Sequence, residues 1–243
     1  MPGSVAMTAK AALRSGAGLI AVSTDPEAIP SISPYVQEAT FVEGKEGGQV
    51  PDLEGYDGIA VGMGLGRTAT QKTVVERLVH EKETPLLVDA DGLYLLEGLL
   101  PELEKREAPT VLTPHPGEFA HLTGLSIKEV LNSPFSHSKE FAEKHGVYLV
   151  LKGPSTIITG PDGEQRVDIS GNAGLAKGGS GDVLSGILLS MLMQVEVMDA
   201  LSNGCFLHGM TADLLVQDGH SKVDLLASDV IEGLSRTFRT FSS

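Results

Sequence analysis

The chain contains a single cysteine, Cys205, and few positive charges. A lone cysteine excludes an internal disulfide and favours a reducing, intracellular environment. Lysine and arginine together number 18 against 32 aspartate and glutamate residues, so the formal charge is −14. This excess of negative charge argues against nucleic acid or an anionic membrane as a partner.

Long hydrophobic runs are also missing. No segment approaches the roughly 20 apolar residues that span a bilayer, and no secretory signal is visible. We therefore expect a cytoplasmic protein with no membrane partner. Apolar residues make up 41% of the 243-residue chain, which suits one large α/β domain or two small ones.

The most informative stretch is a glycine-dense loop at residues 171–182, with the sequence GNAGLAKGGSGD. Apolar residues then recur at spacings of three and four from Val183 to Leu192, which predicts a helix with one buried face. The free N–H groups and the dipole at the start of such a helix form an anion site. Glycines let the backbone approach a phosphate closely and adopt positive φ.

Asp182 falls in the first turn of this predicted helix, beside the expected anion. Like charges repel, so a carboxylate is a poor additional phosphate ligand there. It is better placed as a base that accepts a proton from an attacking hydroxyl. The alternative is a glycine-rich turn in which Asp182 is an ordinary first-turn acid.

Buried strands and amphipathic helices alternate along the chain. The predicted strands span residues 19–22, 59–61, 85–88, 110–112 and 147–151, with a hairpin at 156–169. The predicted helices span residues 4–15, 70–81, 134–145, 199–217 and 228–239, and a polar surface loop covers 44–54. This alternation predicts a three-layer α/β/α sandwich with a mostly parallel sheet, formed by residues 1–243 as a single domain.

Polar or glycine-rich loops follow four predicted strands, at residues 62–66, 89–91, 113–118 and 152–156. Open α/β sheets bind ligands at the carboxyl ends of their strands. We therefore expect these loops to line one crevice with residues 171–182. The glycine spacing at 62–66 differs from the dinucleotide-binding fingerprint.

Charged side chains in these loops are candidate ligands. Asp91 is interpreted as a helix N-cap, whereas Asp89 suits either a structural role or a metal or hydroxyl contact. Two prolines fix the turn that presents His115 and Glu118, which favours a functional role over a structural one. Lys152 is interpreted as a phosphate contact, with an edge lysine as the alternative.

Taken together, these motifs resemble the ADP- or ATP-dependent NAD(P)H-hydrate dehydratases, a family of the ribokinase-like superfamily. The longest match is GNAGLAKGGSGDVLSG at residues 171–186. The other matching segments are LRSGAGL (13–19), VGMGLG (61–66), VDADGL (88–93), LTPHPGE (112–118) and LKG (151–153). The match covers nearly the whole chain in the family's order and spacing.

The resemblance implies a repair enzyme and lyase. A reduced nicotinamide cofactor that has added water across a double bond of its ring is an inactive hydrate, NADHX or NADPHX. The family phosphorylates the hydroxyl of the S-epimer with ADP or ATP and Mg²⁺, then eliminates phosphate to restore NADH or NADPH. A chain that has the dehydratase domain without the companion epimerase domain favours ADP as the phosphoryl donor. The family also implies a homo-oligomer, expected to be a tetramer.

The same resemblance implies roles for individual residues. Asp182 would be the base, and the amides of Gly179, Ser180 and Gly181 would neutralise charge on the phosphoryl group. The implied hydrate contacts are Ser4, Gly64, Gly66, His115 and Asp182. The implied nucleotide contacts are Lys152, Gly153, Pro154, Ser155, Thr156 and Gly181. Glu118 would organise Mg²⁺ through water.

The chain departs from the family pattern at its start. The family normally has a strand and a glycine-rich turn before the helix predicted at residues 4–15, whereas this sequence begins inside that turn. We expect an N-terminally truncated chain of reduced stability, or a gap filled by another chain.

Two further hypotheses follow from the same residues. The chain could be a kinase for a small alcohol of the hydroxyethylthiazole or sugar type, since the chemistry at Asp182 would be shared. It could also bind a nucleotide without turnover. The reaction product distinguishes them, because only the dehydratase restores a reduced nicotinamide and releases phosphate.

Overall fold

The structure is a computed structural model that describes residues 1–43 and 50–241. These residues form two compact units, one of Met1 with Glu43–Val167 and one of Pro2–Val42 with Asp168–Ser243. The single domain expected for residues 1–243 stays a prediction. Most of the surface loop predicted at residues 44–54 lies outside the described residues.

The helices and strands follow the predicted alternation. The strands are β1 (Ala21–Thr24), β2 (Thr40–Glu43), β3 (Ile59–Val61), β4 (Leu86–Val88), β5 (Thr110–Leu112), β6 (Tyr148–Leu151), β7 (Thr156–Thr159) and β8 (Gln165–Asp168). The longer helices are α1 (Pro2–Arg14), α3 (Ala69–His80), α6 (Pro116–Thr123), α8 (Pro134–His145), α9 (Ser180–Leu192), α10 (Val197–Gln217) and α11 (Ala227–Phe241). The short helices are α2 (Ile29–Ile32), α4 (Asp91–Leu95), α5 (Leu100–Leu103) and α7 (Ile127–Asn132).

A six-stranded sheet with the order β3-β4-β5-β6-β7-β8 forms the framework of the first unit. Strands β3 to β6 run parallel, and β7 returns antiparallel to β6. The mostly parallel α/β sheet predicted from the alternation is therefore confirmed. Because the four parallel strands all end at the same edge, the loops that follow them are neighbours.

The central strands are buried on both faces. Val88, Leu112 and Leu149 belong to a core with the fully buried Phe119 of α6. Side chains alternate along a strand, so Val111 points to the opposite face, where it is also fully buried. This explains why these strands read as continuous apolar runs rather than as alternating patterns.

Helices make up most of the second unit. Val183 and Ile187 of α9 pack in one cluster with Leu207 of α10 and Leu234 of α11, which confirms the buried face predicted for α9. The strand predicted at residues 19–22 was expected to be covered on both faces, and this is wrong. Strand β1 begins at Ala21, forms a two-stranded sheet with β2, and has a single buried residue, Val22.

The helices predicted at residues 4–15, 70–81, 134–145, 199–217 and 228–239 are confirmed to within about two residues at each end. Helices α5 and α7 were not predicted. Helix α7 follows Ser126, whose hydroxyl accepts a hydrogen bond from the N–H of Glu129 at 3.2 Å. The Glu129 carboxylate in turn accepts from the N–H of Ser126 at 2.8 Å, which completes a capping box. Within residues 1–43 and 50–241, no helix has the length and hydropathy to span a membrane.

Gly186 allows α1 and α9 to pack closely. A Cβ at this position would lie 2.2 Å from the carbonyl oxygen of Thr8 and 2.9 Å from Cβ of Ala11. We predict that Gly186→Ala lowers the free energy of unfolding by about 1–3 kcal/mol, because overpacking against backbone outweighs the gain in helix propensity. Urea unfolding tests this, with Gly18→Ala as the control, since nothing lies within 4 Å of a Cβ there. Equal stability of the two variants would contradict it.

His145 should make stability fall at mildly acidic pH. Its side chain is buried against Phe141, with ring centroids 4.6 Å apart, and burial lowers the pKa of the imidazole. The unfolded chain, with a histidine pKa of about 6.5, then binds a proton more readily than the folded chain. The contribution of neutral His145 to the free energy of unfolding is complete at pH values above about 6.5 and is lost as the pH falls below that value. We predict that His145→Leu flattens the loss of stability between pH 7.5 and 5.5. An unchanged slope in urea unfolding would show that another group is responsible.

Candidate active site

The loop after β3 approaches the end of β4 so closely that only glycine fits at residue 62. Gly62 has φ of +117°, and a Cβ there would lie 1.8 Å from the carbonyl oxygen of Asp89. The N–H of Asp89 donates to the carbonyl of Val61 at 3.0 Å. Gly64 and Gly66 also have positive φ, 64° and 84°. These glycines therefore let the loop fold tightly over the sheet edge.

Asp91 holds this loop and does not cap a helix. Ala90 occupies the N-cap position of α4, and Asp91 is the first helical residue. Its carboxylate accepts from the N–H of Gly66 at 2.9 Å and from Nε of Arg67 at 2.6 Å. The hydrogen bond that Arg67 donates to Asp91 raises the pKa of Arg67, whose guanidinium lies 3.4 Å from the ring centre of Tyr94. The interpretation of Asp91 as an N-cap is therefore wrong.

His115 and Glu118 form a capping box at the start of α6. Nδ1 of His115 accepts from the N–H groups of Gly117 at 3.0 Å and Glu118 at 3.2 Å. The buried carboxylate of Glu118 accepts from the N–H of His115 at 2.8 Å. Because Nδ1 is an acceptor, Nε2 carries the proton in the neutral ring, and the imidazole is exposed. Nε2 of His115 lies 3.5 Å from Oε1 of Glu118. His115 thus has a structural role, and its ring is about half exposed.

Lys152 is paired with Asp89. Its Nζ lies 2.8 Å from Oδ1 of Asp89, which is 1% exposed. Its N–H donates to the carbonyl of Pro114 at 2.9 Å. The next three residues, Gly153 to Ser155, are exposed, and Thr156 begins β7. The first unit therefore brings Lys152 to the same sheet edge as Gly62 and Asp91, as predicted from their positions after the carboxyl ends of strands.

In the second unit, the loop at residues 171–182 ends in a left-handed glycine. Gly179 is the N-cap of α9 and has φ of 94°. A Cβ there would lie 2.7 Å from Sδ of Met7, near the end of a flexible side chain, so it is the left-handed conformation that requires glycine. The N–H of Val183 donates to the carbonyl of Gly179 at 3.0 Å and closes the first turn. Gly181 and Asp182 precede that bond, so their amides belong to the turn that lacks intrahelical acceptors.

The beginning of the same loop is anchored to α10. The Asp213 carboxylate accepts from the N–H of Gly171 and from Nδ2 of Asn172, each at 2.8 Å. Nζ of Lys177 donates to the carbonyl of Leu225 at 2.7 Å and also to the carbonyl of Val223. Lys177 is therefore occupied with the backbone. The sequence gives no separate signal for Asp213, which lies within a helical pattern.

Helix α1 supports Asp182 from the backbone side. The hydroxyl of Thr8 lies 3.0 Å from the carbonyl oxygen of Asp182 and 3.0 Å from that of Ser4. Ser4 and Ser180 are buried, while Asp182 is half-buried. Thr8 was missed by sequence analysis because it falls among the apolar residues of α1. Asp182 lies in the first turn of α9, as predicted.

The described residues offer no protein-only magnesium site. Within 1–43 and 50–241 there is no group of three or more histidine, cysteine, aspartate or glutamate side chains that could hold a metal. The Glu118 carboxylate is already engaged by the N–H of His115. The water-mediated magnesium role of Glu118 stays a prediction, and no chemical step is assigned to the ion.

The fold and these loops define a class of protein. A solved ribokinase-like superfamily protein from Enterococcus faecalis superposes with a TM-score of 0.82 at 27% identity, covering 98% of this chain and 82% of that one. A family model described as NAD(P)H-hydrate dehydratase matches residues 1–235. The chain belongs to the NAD(P)H-hydrate dehydratase family.

Two relatives place it within that family. It is 36% identical over 244 residues to the ADP-dependent (S)-NAD(P)H-hydrate dehydratase of Bacillus subtilis, covering 99% of this chain and 86% of the relative. The crystal structure of the ADP/ATP-dependent enzyme from B. subtilis, co-crystallised with ATP/Mg²⁺, superposes with a TM-score of 0.89 at 35% identity, covering 99% of this chain and 86% of that one. The chain is also 36% identical to the bifunctional NAD(P)H-hydrate repair enzyme of Vibrio cholerae, covering 96% of this chain and 46% of that enzyme.

Substitutions at His115 test its role as the N-cap of α6. Asparagine is a good N-cap residue and alanine is a poor one. We predict that His115→Ala lowers the free energy of unfolding by about 1 kcal/mol, whereas His115→Asn stays near wild type. Ser126→Ala, which removes the cap of α7, should match His115→Ala in urea unfolding. Equal stability of the alanine and asparagine variants at residue 115 would contradict the capping role.

Proposed function

We propose that this chain catalyses the nucleotide-dependent dehydration of the S-epimer of NADHX and NADPHX, with ADP or ATP as phosphoryl donor. The observation that carries the proposal is the start of α9. Its first-turn amides adjoin the half-buried Asp182 behind a glycine fixed in the left-handed conformation. Family membership and the nucleotide-dependent B. subtilis relative support the same activity.

In the first step, Asp182 accepts the proton of the ring hydroxyl as its oxygen attacks the terminal phosphoryl group. An O–P bond forms, and the bond from that phosphorus to the donor nucleotide breaks. ADP leaves as AMP, or ATP leaves as ADP. The amides of Gly179 and Gly181 neutralise charge on the transferred group by position alone, without a lysine. The N–H of Ser180, which the resemblance also implied, already donates to the carbonyl of Lys177 at 3.3 Å. The occupation of Lys177 by two backbone carbonyls fits this assignment.

In the second step, the ring nitrogen donates its electron pair towards the phosphorylated carbon, and the C–O bond breaks. Phosphate leaves with that oxygen, and loss of the ring proton completes NADH or NADPH. We assign the hydrate contacts to Ser4, Gly64, Gly66 and His115, and the nucleotide contacts to Gly181 and residues 152–156. The exposed imidazole of His115 and the positive φ of Gly64 and Gly66 support these assignments.

We further propose a cytoplasmic location and a homo-oligomeric, tetrameric state, which rest on the single buried cysteine and on the family resemblance respectively. Magnesium enters the proposal as the counter-ion of the nucleotide. Glu118 would act on it through water, because its carboxylate is held in the capping box.

The direct test is recovery of reduced cofactor from chemically prepared NADPH hydrate. Wild-type protein with ADP or ATP should restore the absorbance of NADPH and release one phosphate for each cofactor. A stable phosphorylated alcohol, with no NADPH, would indicate a kinase instead. Nucleotide binding with no product from either nucleotide would contradict the proposal.

Asp182→Asn should lower the rate of NADPH recovery by ~10²–10⁴-fold, the range expected for loss of a general base. Nucleotide affinity should change little, because the amides of α9 remain. Asp199→Asn is the matched control, since Asp199 is an exposed acid in the first turn of α10. If both variants keep wild-type activity, Asp182 is only a first-turn acid.

A further inference from the structure

Asp89 and Lys152 form an ion pair that spans a strand. Asp89 follows β4 and Lys152 follows β6, and β5 lies between these strands in the sheet. Nζ of Lys152 is 2.8 Å from Oδ1 of Asp89, and the two side chains are 21% and 2% exposed. The pair therefore crosses the end of β5 in a place mostly closed to water.

Stability alone does not explain why this ion pair is buried. Desolvation of two charges offsets much of their attraction, so an apolar pair of similar size would hold the fold about as well. The neighbouring backbone is also strained. Ala90 has φ of 49° and ψ of −122°, a conformation that a non-glycine residue rarely adopts. Such strain clusters at functional sites.

The pair also connects the backbone of four strand ends. The N–H of Asp89 donates to Val61 at the end of β3, and the carbonyl of Asp89 accepts from Gly92, each at 3.0 Å. The N–H of Lys152 donates at 2.9 Å to Pro114, in the loop after β5. The backbone of both residues is therefore tied to neighbouring strand ends, and the ion pair adds a side-chain link directly before the exposed segment at residues 153–155.

We propose that Asp89 is a positioning residue for nucleotide binding. It holds the Lys152 amine against the sheet edge and thereby fixes the loop at residues 152–156. This rests on the proposed function, which assigns that loop to the nucleotide. Lys152 acts in this account through its bond to Asp89, and the loop binds the nucleotide through its backbone and hydroxyl groups. A direct phosphate contact by Lys152 is the competing account.

The two accounts predict opposite effects of Asp89→Asn. Removal of the carboxylate charge frees the lysine, so a direct phosphate contact would keep or gain affinity. A positioning pair loses affinity whichever partner is changed. We expect Asp89→Asn and Lys152→Met each to weaken ADP and ATP binding roughly tenfold. The double variant should be no weaker than the weaker single variant, because both changes remove the same interaction.

The experiment measures nucleotide Kd by titration calorimetry on the full chain, with KM for nucleotide, KM for NADPH hydrate and melting temperature alongside. The hydrate KM should stay within about twofold, since the loss is confined to the nucleotide. Glu102→Gln is the control, because it removes the charge from a more exposed pair of the same length, 2.8 Å, between Glu102 of α5 and Lys105 beyond its end. If a single variant fails to fold, the double variant, which buries no unpaired charge, gives the affinity.

Three outcomes would overturn the role of Asp89. They are unchanged or tighter nucleotide binding by Asp89→Asn, wild-type affinity in the double variant, and a parallel loss of hydrate and nucleotide affinity that follows melting temperature. Failure of the proposed function is separate. A wild-type chain that binds nucleotide but restores no cofactor would refute the dehydratase, while the binding comparison would still decide the role of Asp89.

Discussion

The parallel hydrogen-bond ladder from β3 to β6 determines where the polar groups of the first unit meet. Each strand is only three or four residues long, and all four end at one edge. Without that common direction, the glycines at 62–66, His115 and Lys152 would have no reason to be neighbours. Apolar side chains on both faces of these strands maintain the ladder, so a small buried framework supports the exposed loops.

The second unit contains the proposed anion site, in a chain of net charge −14. The groups assigned to the anion there are backbone amides and not lysine side chains. Gly179 takes a left-handed conformation against Met7, and Gly186 lets α1 lie close to α9. Thr8 then reaches the carbonyl of Asp182. The chain has few lysine and arginine residues, and the start of α9, which is formed by glycine and serine, offers backbone N–H groups instead.

Sequence alone predicts the strands, the long helices and the position of Asp182 because each follows from a local pattern or from a dense glycine motif. It does not predict the Asp89–Lys152 pair, whose partners are 63 residues apart and are joined only by the sheet order. Asp91 was misassigned because its N-terminal position resembles a cap, whereas its partners lie in the preceding loop. Strand β1 was expected to be buried on both faces, but it lies in a two-stranded sheet where its apolar run has less cover.

In the proposed reaction, the ring hydroxyl attacks phosphorus before its C–O bond breaks. Oxygen-18 placed in that hydroxyl follows the atom directly. Mass spectrometry of the products should then find the label in the released inorganic phosphate, with one labelled phosphate for each NADPH formed. Label in water, with unlabelled phosphate, would mean that the hydrate loses its hydroxyl without phosphorylation, and would contradict the role assigned to Asp182 and the first turn of α9.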